Sequence, residues 1–164
     1  MSDQRARVEA LSLRDRLNAE YERYRDLVTF LPTGKLKLQE DSRRYLCLRC
    51  AGFLEQLVFL TVRQYLRKKS SGPGLEFAHS FFYQAPNLTP SALKKLFARF
   101  GELDSSRLAT FIDKPREDVL ADLMSVRNPV AHGTEINGAK IDPTRYVEFC
   151  NDFYDWCVTT YLND

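Results

Sequence analysis

An arginine and a histidine stand five residues apart in the segment 127–133, whose sequence is RNPVAHG. A guanidinium holds phosphate oxygens with a rigid fork of donors, and an imidazole moves a proton near neutral pH. Cleavage of RNA without a metal needs a base for the 2′-hydroxyl, an acid for the leaving oxygen and positive charge near the phosphorane. Arg127 and His132 are the residues predicted to carry such chemistry.

The segment supplies only one histidine per chain. Two chains related by a two-fold axis would bring two imidazoles and two guanidiniums into one cleft. Activity is therefore expected to depend on a homodimer that holds an RNA substrate between its copies.

The surrounding sequence indicates how these side chains are positioned. Arg127 follows Leu123 by four residues, so a guanidinium falls on the apolar stripe of a predicted helix. A charge near a core face must be paired or must serve an interface. His132 is expected at the end of that helix. Pro129 removes a backbone donor there, and Gly133 allows the chain to leave the helical conformation.

The string Arg-Asn-x-x-Ala-His-Gly resembles the R-x4-6-H signature of the HEPN superfamily, and most closely its small stand-alone domains grouped with RiboL-PSP and other defence proteins. The resemblance implies an all-helical, dimeric fold and a metal-independent endoribonuclease of toxin–antitoxin or antiviral systems. It implies that Arg127 and His132 are catalytic, and that Asn128 helps to hold phosphate or shapes the turn. Glu55 resembles an acidic position in the long helix of such domains.

One departure from the family concerns the partner. Some HEPN toxins that pair with a nucleotidyltransferase antitoxin extend the motif to His-x-Tyr, whereas here Gly133, Thr134 and Glu135 follow the histidine. That pairing is therefore in doubt, although another antitoxin or defence-system partner remains compatible with the motif.

Two functions follow as expectations. The first is an endoribonuclease, without cofactor or metal, whose products end in a 2′,3′-cyclic phosphate or a 3′-phosphate. The alternative is a non-catalytic helical module that binds a partner or RNA in a defence or stress complex, with Arg127 capping carbonyls or pairing with an acid.

Other candidate residues favour structural roles. His79 is expected to be a packed or capping residue, although its aromatic segment could also form a partner surface. The four cysteines lack zinc-site spacing and are interpreted as small buried helix residues. The cations at 67–69 suit a helix C-terminus better than an RNA patch, and Asp118 and Asp122 are assigned to a solvated face.

Hydrophobic periodicity predicts an all-α, antiparallel helical bundle with two long helices and several shorter ones. The long helices are predicted at about 3–30 and 38–69, with breaks at 32–34 and 70–74. Apolar residues at 75–88 indicate no clear element. Shorter helices are predicted after Thr89-Pro90, over 103–112, from Pro115 and after Asp142-Pro143, with a loop at 133–138.

Composition sets the remaining expectations. The 164 residues fit one domain over 1–164, and 44% hydrophobic residues support a folded core. A net charge of +2 argues against RNA binding by bulk electrostatics. The first residues lack an apolar leader, and charged residues interrupt the apolar stretches, so the protein is expected to be cytoplasmic and without a membrane span.

Overall fold

The computed structural model describes residues 3–30, 35–82, 88–132 and 141–163, and within these ranges it contains helices and no strand. The helices are α1 (Asp3–Phe30), α2 (Leu36–Lys69), α3 (Gly72–Ser80), α4 (Pro90–Ala98), α5 (Glu102–Phe111), α6 (Lys114–Ala131) and α7 (Pro143–Cys157), followed by a π-helical segment, Val158–Leu162. The predicted all-α bundle with two long helices is confirmed. The predicted breaks at 32–34 and 133–138 lie outside the described residues.

Helix α2 forms the centre of the bundle and contacts α1, α3, α6, α7 and the π-helical segment. Hydrophobic periodicity predicts a broad apolar face on this helix, and most of that face is buried. The buried members of that face are Leu46, Cys47, Cys50, Phe53, Leu54, Leu57, Val58 and Thr61. A helix that is apolar over so much of its girth needs neighbours on several sides, and the surrounding helices supply them.

Two long-range pairs set the direction of α2 relative to α1. Arg49 on α2 binds Glu20 on α1 at 2.6 Å, and Arg43 donates to the hydroxyl of Tyr24 at 3.3 Å. The residue numbers on α2 therefore rise as those of their partners on α1 fall, so the two helices are antiparallel. Helix α7 is also antiparallel to α1, and consequently α2 and α7 run in the same direction.

The buried stripe of α1 differs from the predicted one. Hydrophobic periodicity predicts an inner stripe of Val8, Leu11, Leu17, Tyr21, Tyr24, Val28 and Leu31. However, Val8 and Leu11 are 59% and 38% exposed, whereas Ala6, Ala10 and Leu17 are buried. Alanines let the backbone of α1 approach its neighbours closely, and their spacing with Leu17 matches the helical repeat. The larger side chains dominate the hydrophobic periodicity of this segment, so the predicted stripe is displaced from the buried one. Its last predicted member, Leu31, lies outside the described residues.

Side-chain capping hydrogen bonds mark the starts of α4 and α6. The Thr89 hydroxyl accepts the N–H of Ala92 at 3.2 Å, as predicted. The Asp113 carboxylate accepts the N–H of Arg116 at 3.0 Å, so α6 begins at a cap that the sequence reading did not name. Asp142 precedes α7 as predicted, but its side chain makes no capping hydrogen bond.

Helix α3 occupies part of the segment left unassigned and begins inside the predicted loop 70–74. Gly72 takes a φ of 59°, a left-handed value that favours glycine, and Pro73 follows in the first turn. None of the residues of α3 is buried. Phe77 and Phe81 are about two-thirds exposed and pack edge to face on each other, with ring centroids 5.0 Å apart.

Acidic side chains in and near the core are held by tyrosine hydroxyls. Asp122 was predicted to be solvated, but it is half-buried and accepts the Tyr146 hydroxyl at 2.7 Å. That assignment was wrong because α7 brings Tyr146 across α6 from a distant part of the chain. Asp104 is buried and accepts hydroxyls from Tyr65 at 3.0 Å and Tyr161 at 3.1 Å. Asp118 is exposed, as predicted.

The cysteines are buried free thiols, which confirms their interpretation as small core residues. They are Cys47, Cys50, Cys150 and Cys157. Burial raises the pKa of the Cys47 and Cys157 thiols to about 12. Within the described ranges, His, Cys, Asp and Glu side chains form no group of three that could hold a metal ion.

Length and composition do not by themselves exclude a membrane span for α2. It is the one helix in the described part of the chain that is long and apolar enough to cross a bilayer. However, 56% of that apolar stretch is buried inside the bundle, and the core helix of a bundle has the same character. The expectation that charged residues exclude every segment by composition alone was therefore too strong.

Candidate functional site

Arg127 lies in the last turns of α6 and forms an ion pair with Glu55 in the middle of α2. Nη2 of Arg127 donates to Oε1 of Glu55 at 3.0 Å. The Arg127 side chain is 30% exposed and that of Glu55 is 16% exposed. The guanidinium on the apolar stripe is thus paired, as the sequence reading required, and part of it still reaches solvent.

The environment of Glu55 acts on its carboxyl in two opposing ways. Burial raises the pKa of Glu55 above its ordinary value, and the positive charge of Arg127 opposes part of that rise. The burial effect is the larger of the two. Within the described residues, Arg127 is the only charged group that offsets this burial.

Asn128 provides the second contact of the guanidinium. Nη1 of Arg127 donates to Oδ1 of Asn128 at 3.2 Å. Two of the guanidinium nitrogens are therefore oriented by acceptors in the same chain. The remaining N–H groups have no protein partner in the part of the chain that the structure describes, so they are available to an anion.

His132 ends α6. Its backbone N–H is directed at the carbonyls of Asn128 and Pro129, at 3.3 and 3.1 Å, and its side chain is exposed. Pro129 lies inside the helix and has no N–H to give to the preceding turn. The imidazole makes no hydrogen bond to any residue in the described ranges, so the structure joins Arg127 to Asn128 and Glu55 but not to His132.

The other candidates lie elsewhere. His79 is half-buried on α3, and its Nε2 is shielded from solvent without a hydrogen-bond partner among the described residues. Nζ of Lys68 donates to the carbonyl of Asn163 at 2.7 Å, and Lys69 lies over the Tyr65 ring. These contacts support the assignment of the cations at 67–69 to a helix end.

A groove between α1 and α2 adjoins the ion pair, and the sequence reading did not predict it. It has a volume of about 420 Å³ and is lined by residues from both helices, including Glu55. Four of its polar lining residues are Glu9, Arg16, Arg49 and Gln56. A single glycine, Gly52, lies among them. This glycine, alone in an apolar helical pattern, is the sequence signal that could have indicated the groove.

Comparisons of the whole chain with known proteins do not add a relative to this picture. The chain matches no protein-family model, no curated protein and no solved structure.

Proposed function

We propose that the protein is a metal-independent endoribonuclease that acts as a homodimer, with Arg127 as phosphate clamp and His132 as general acid and base. The observation that carries the proposal is a guanidinium held in place by Glu55 and Asn128, close in sequence to an exposed histidine at a helix end. Its other donors have no partner among the described residues. Asn128 is assigned the role of orienting Arg127.

Pre-orientation of Arg127 supports this assignment. A flexible arginine loses rotamer freedom when it grips a phosphate. Here two acceptors already fix the guanidinium, and its planar fork matches phosphate oxygens. Binding a phosphate between the free donors therefore costs less conformational entropy than it would for a solvated arginine.

The reaction needs one proton acceptor and one proton donor. His132 of one copy takes the proton of the 2′-hydroxyl, and the 2′-oxygen forms a bond to phosphorus. The bond from phosphorus to the 5′-oxygen then breaks, and that oxygen takes a proton from His132 of the second copy. The two arginines stabilise the charge that builds on the phosphorane oxygens.

Incubation of the purified protein with a labelled single-stranded RNA in the presence of EDTA tests the proposal. We expect products with 2′,3′-cyclic phosphate or 3′-phosphate ends, and no cleavage of the matching DNA, which lacks the 2′-hydroxyl nucleophile. A need for added magnesium, or 3′-hydroxyl products, would overturn the mechanism.

A second candidate is a non-catalytic module that binds RNA or a protein partner. The Glu55–Arg127 pair favours it, because internal ion pairs of this kind also serve as purely structural links between helices. This candidate predicts a dimer or hetero-complex that leaves RNA intact at every protein concentration.

A further inference from the structure

Gly52 occupies an unusual place in the middle of α2. A glycine in a helix interior lowers helix stability relative to alanine, so a packing or backbone reason is normally found for it. Its φ is not in the left-handed region, and a Cβ built on it would meet no atom within 4 Å. Neither strain nor crowding explains this glycine, which opens directly onto the groove between α1 and α2.

The charges of the groove are separated along its length. Arg49 binds Glu20, which lies one turn beyond Arg16 on α1, so both arginines belong to one end. Glu9 lies seven residues before Arg16, which is about 10 Å along the helix. A cationic end and an acidic end are thus set apart by two helical turns.

The residues between the two ends are less polar. The groove wall there includes Leu13, Leu17 and Phe53. The Gln56 amide and the Glu55 carboxylate, which is paired with Arg127, lie beside them. Arg16 uses only its Nε, which donates to the Ser12 carbonyl at 3.2 Å. Its terminal nitrogens have no protein partner among the described residues, and the same is true of the Glu9 carboxylate.

We infer that this groove binds one nucleotide of an RNA strand, with its phosphate at Arg16 and Arg49 and its base over Gly52. The phosphate of a nucleotide would contact the arginines, and its flat base would lie on the apolar wall. The N–H donors on the edge of the base would face the acceptors at the other end of the groove. Its volume falls in the range of small-ligand sites. The absence of a side chain at position 52 lets a flat ring approach the helix backbone.

The RNA part of this inference rests on the proposed nuclease function. Glu55 lines the groove and also holds Arg127, so a nucleotide bound in the groove lies beside the proposed cleavage site. The groove would then position the strand next to the bond that is cut, and Arg16 and Arg49 are assigned as binding residues rather than catalytic ones.

The first experiment measures binding without cleavage. Guanosine 5′-monophosphate is titrated into the protein by calorimetry, with guanosine and inorganic phosphate as separate probes. We expect the mononucleotide to bind more tightly than either fragment, and Arg16→Ala to weaken it by about tenfold or more, because one charge-assisted contact is lost. Arg5→Ala, an exposed arginine on the same helix outside the groove, serves as the matched control and should bind as the wild type does.

A second variant fills the groove without disturbing the fold. Gly52→Leu places a side chain in open space on a helix that favours leucine. Its melting temperature should equal or exceed that of the wild type, whereas mononucleotide binding should be lost. Gly52→Ala separates the effects, since it raises helix stability with little obstruction. Unchanged binding by Gly52→Leu, or inorganic phosphate binding as tightly as the mononucleotide, overturns the inference.

An RNA cleavage assay with the same variants keeps the two proposals distinguishable. If the wild type cleaves RNA and Gly52→Leu cleaves it with the same KM, the groove inference fails and the nuclease proposal stands. If the wild type binds the mononucleotide and loses it on Gly52→Leu, but cuts no RNA, the groove inference stands for free nucleotides and the nuclease proposal fails.

Discussion

Nη2 of Arg127 lies 3.0 Å from Oε1 of Glu55, and this contact connects the end of α6 to the middle of α2 across 72 positions of sequence. Both side chains are mostly shielded from solvent, but neither is fully buried. The pair is therefore placed to serve two purposes. It links two helices of the bundle, and it holds a partly exposed guanidinium in one orientation.

A double-mutant cycle measures this link. We expect Glu55→Ala and Arg127→Ala each to lower the free energy of unfolding, with a coupling of about 1 kcal/mol, because the pair is only partly desolvated. Urea unfolding of the two single variants and the double variant gives the value. Glu148→Ala, an exposed glutamate without an ion pair within the described ranges, should change little, and a coupling near zero would remove the pair as a structural link.

Removal of the His132 imidazole tests whether this side chain acts as general acid and base. We expect His132→Ala to reduce RNA cleavage by about 100-fold or more, the range typical for a general acid or base. His79→Ala should retain activity, since that histidine lies on α3. Both rates are measured under single-turnover conditions at equal protein concentration. Equal activity of His132→Ala and wild type would sink the assignment of His132.

Growth of expressing cells tests the guanidinium in a different way. If the protein cuts cellular RNA, wild-type expression should arrest growth, and Arg127→Ala should relieve the arrest because the phosphate clamp is lost. Colony counts after induction give the result, with immunoblots to confirm equal protein levels. Arrest by both forms at equal levels would argue that toxicity has another cause.

The Tyr146 hydroxyl is expected to contribute to stability through Asp122. Tyr146→Phe leaves a half-buried carboxylate without its 2.7 Å donor, and we expect a loss of about 1–3 kcal/mol in the free energy of unfolding. Tyr45→Phe is the matched control, because Tyr45 is 56% exposed and makes no hydrogen bond within the described residues. Denaturant titrations of both variants provide the comparison, and equal losses would contradict the role of Asp122.

The buried thiol of Cys157 predicts a pH dependence. Burial raises its pKa from 9.0 to about 12 in the folded protein, so above pH 9 the unfolded chain loses a proton that the folded chain keeps. The stabilisation is complete below about pH 9 and is lost as the pH rises towards 12, by up to about 1.4 kcal/mol per pH unit.

Cys157→Ala should therefore show a shallower fall in stability over that range than the wild type. Val62→Ala, another change in the core, removes packing without removing a titrating group and should keep the wild-type slope. Melting temperatures at several pH values from 7 to 11 reveal the difference, and identical slopes for all three proteins would rule out the thiol as the source.

Hydrophobic periodicity predicted much of the bundle, because the buried apolar residues of a helix recur at regular intervals in the sequence. Helical spacing predicts an inner face of Tyr146, Cys150, Phe153, Cys157 and Tyr161 for the last helix. All five are buried, the first four in α7 and Tyr161 in the π-helical segment. In α1 the hydrophobic periodicity was less clear, because the buried residues include small alanines and the apolar Val8 is exposed. Size alone does not show which face of a helix its neighbours cover.

The sequence predicted only part of the candidate site. The motif indicated Arg127 and His132, and the need to pair a guanidinium on an apolar stripe was a sound physical requirement. Its contact with Glu55 could not be derived from spacing, because it depends on how α6 crosses α2. The open space at Gly52 could not be predicted either, because tertiary packing determines which residues lie next to each face of a helix.

The π-helical segment after α7 has a consequence for how this chain tolerates change. Its wider turns set the direction of Tyr161, which shares the buried Asp104 with Tyr65. Inserting or deleting one residue there would turn Tyr161 away from Asp104 and withdraw one of the two hydroxyls from the carboxylate. Thr159, the exposed position of the segment, should accept many substitutions, whereas the length of the segment is constrained because it determines where the Tyr161 side chain points.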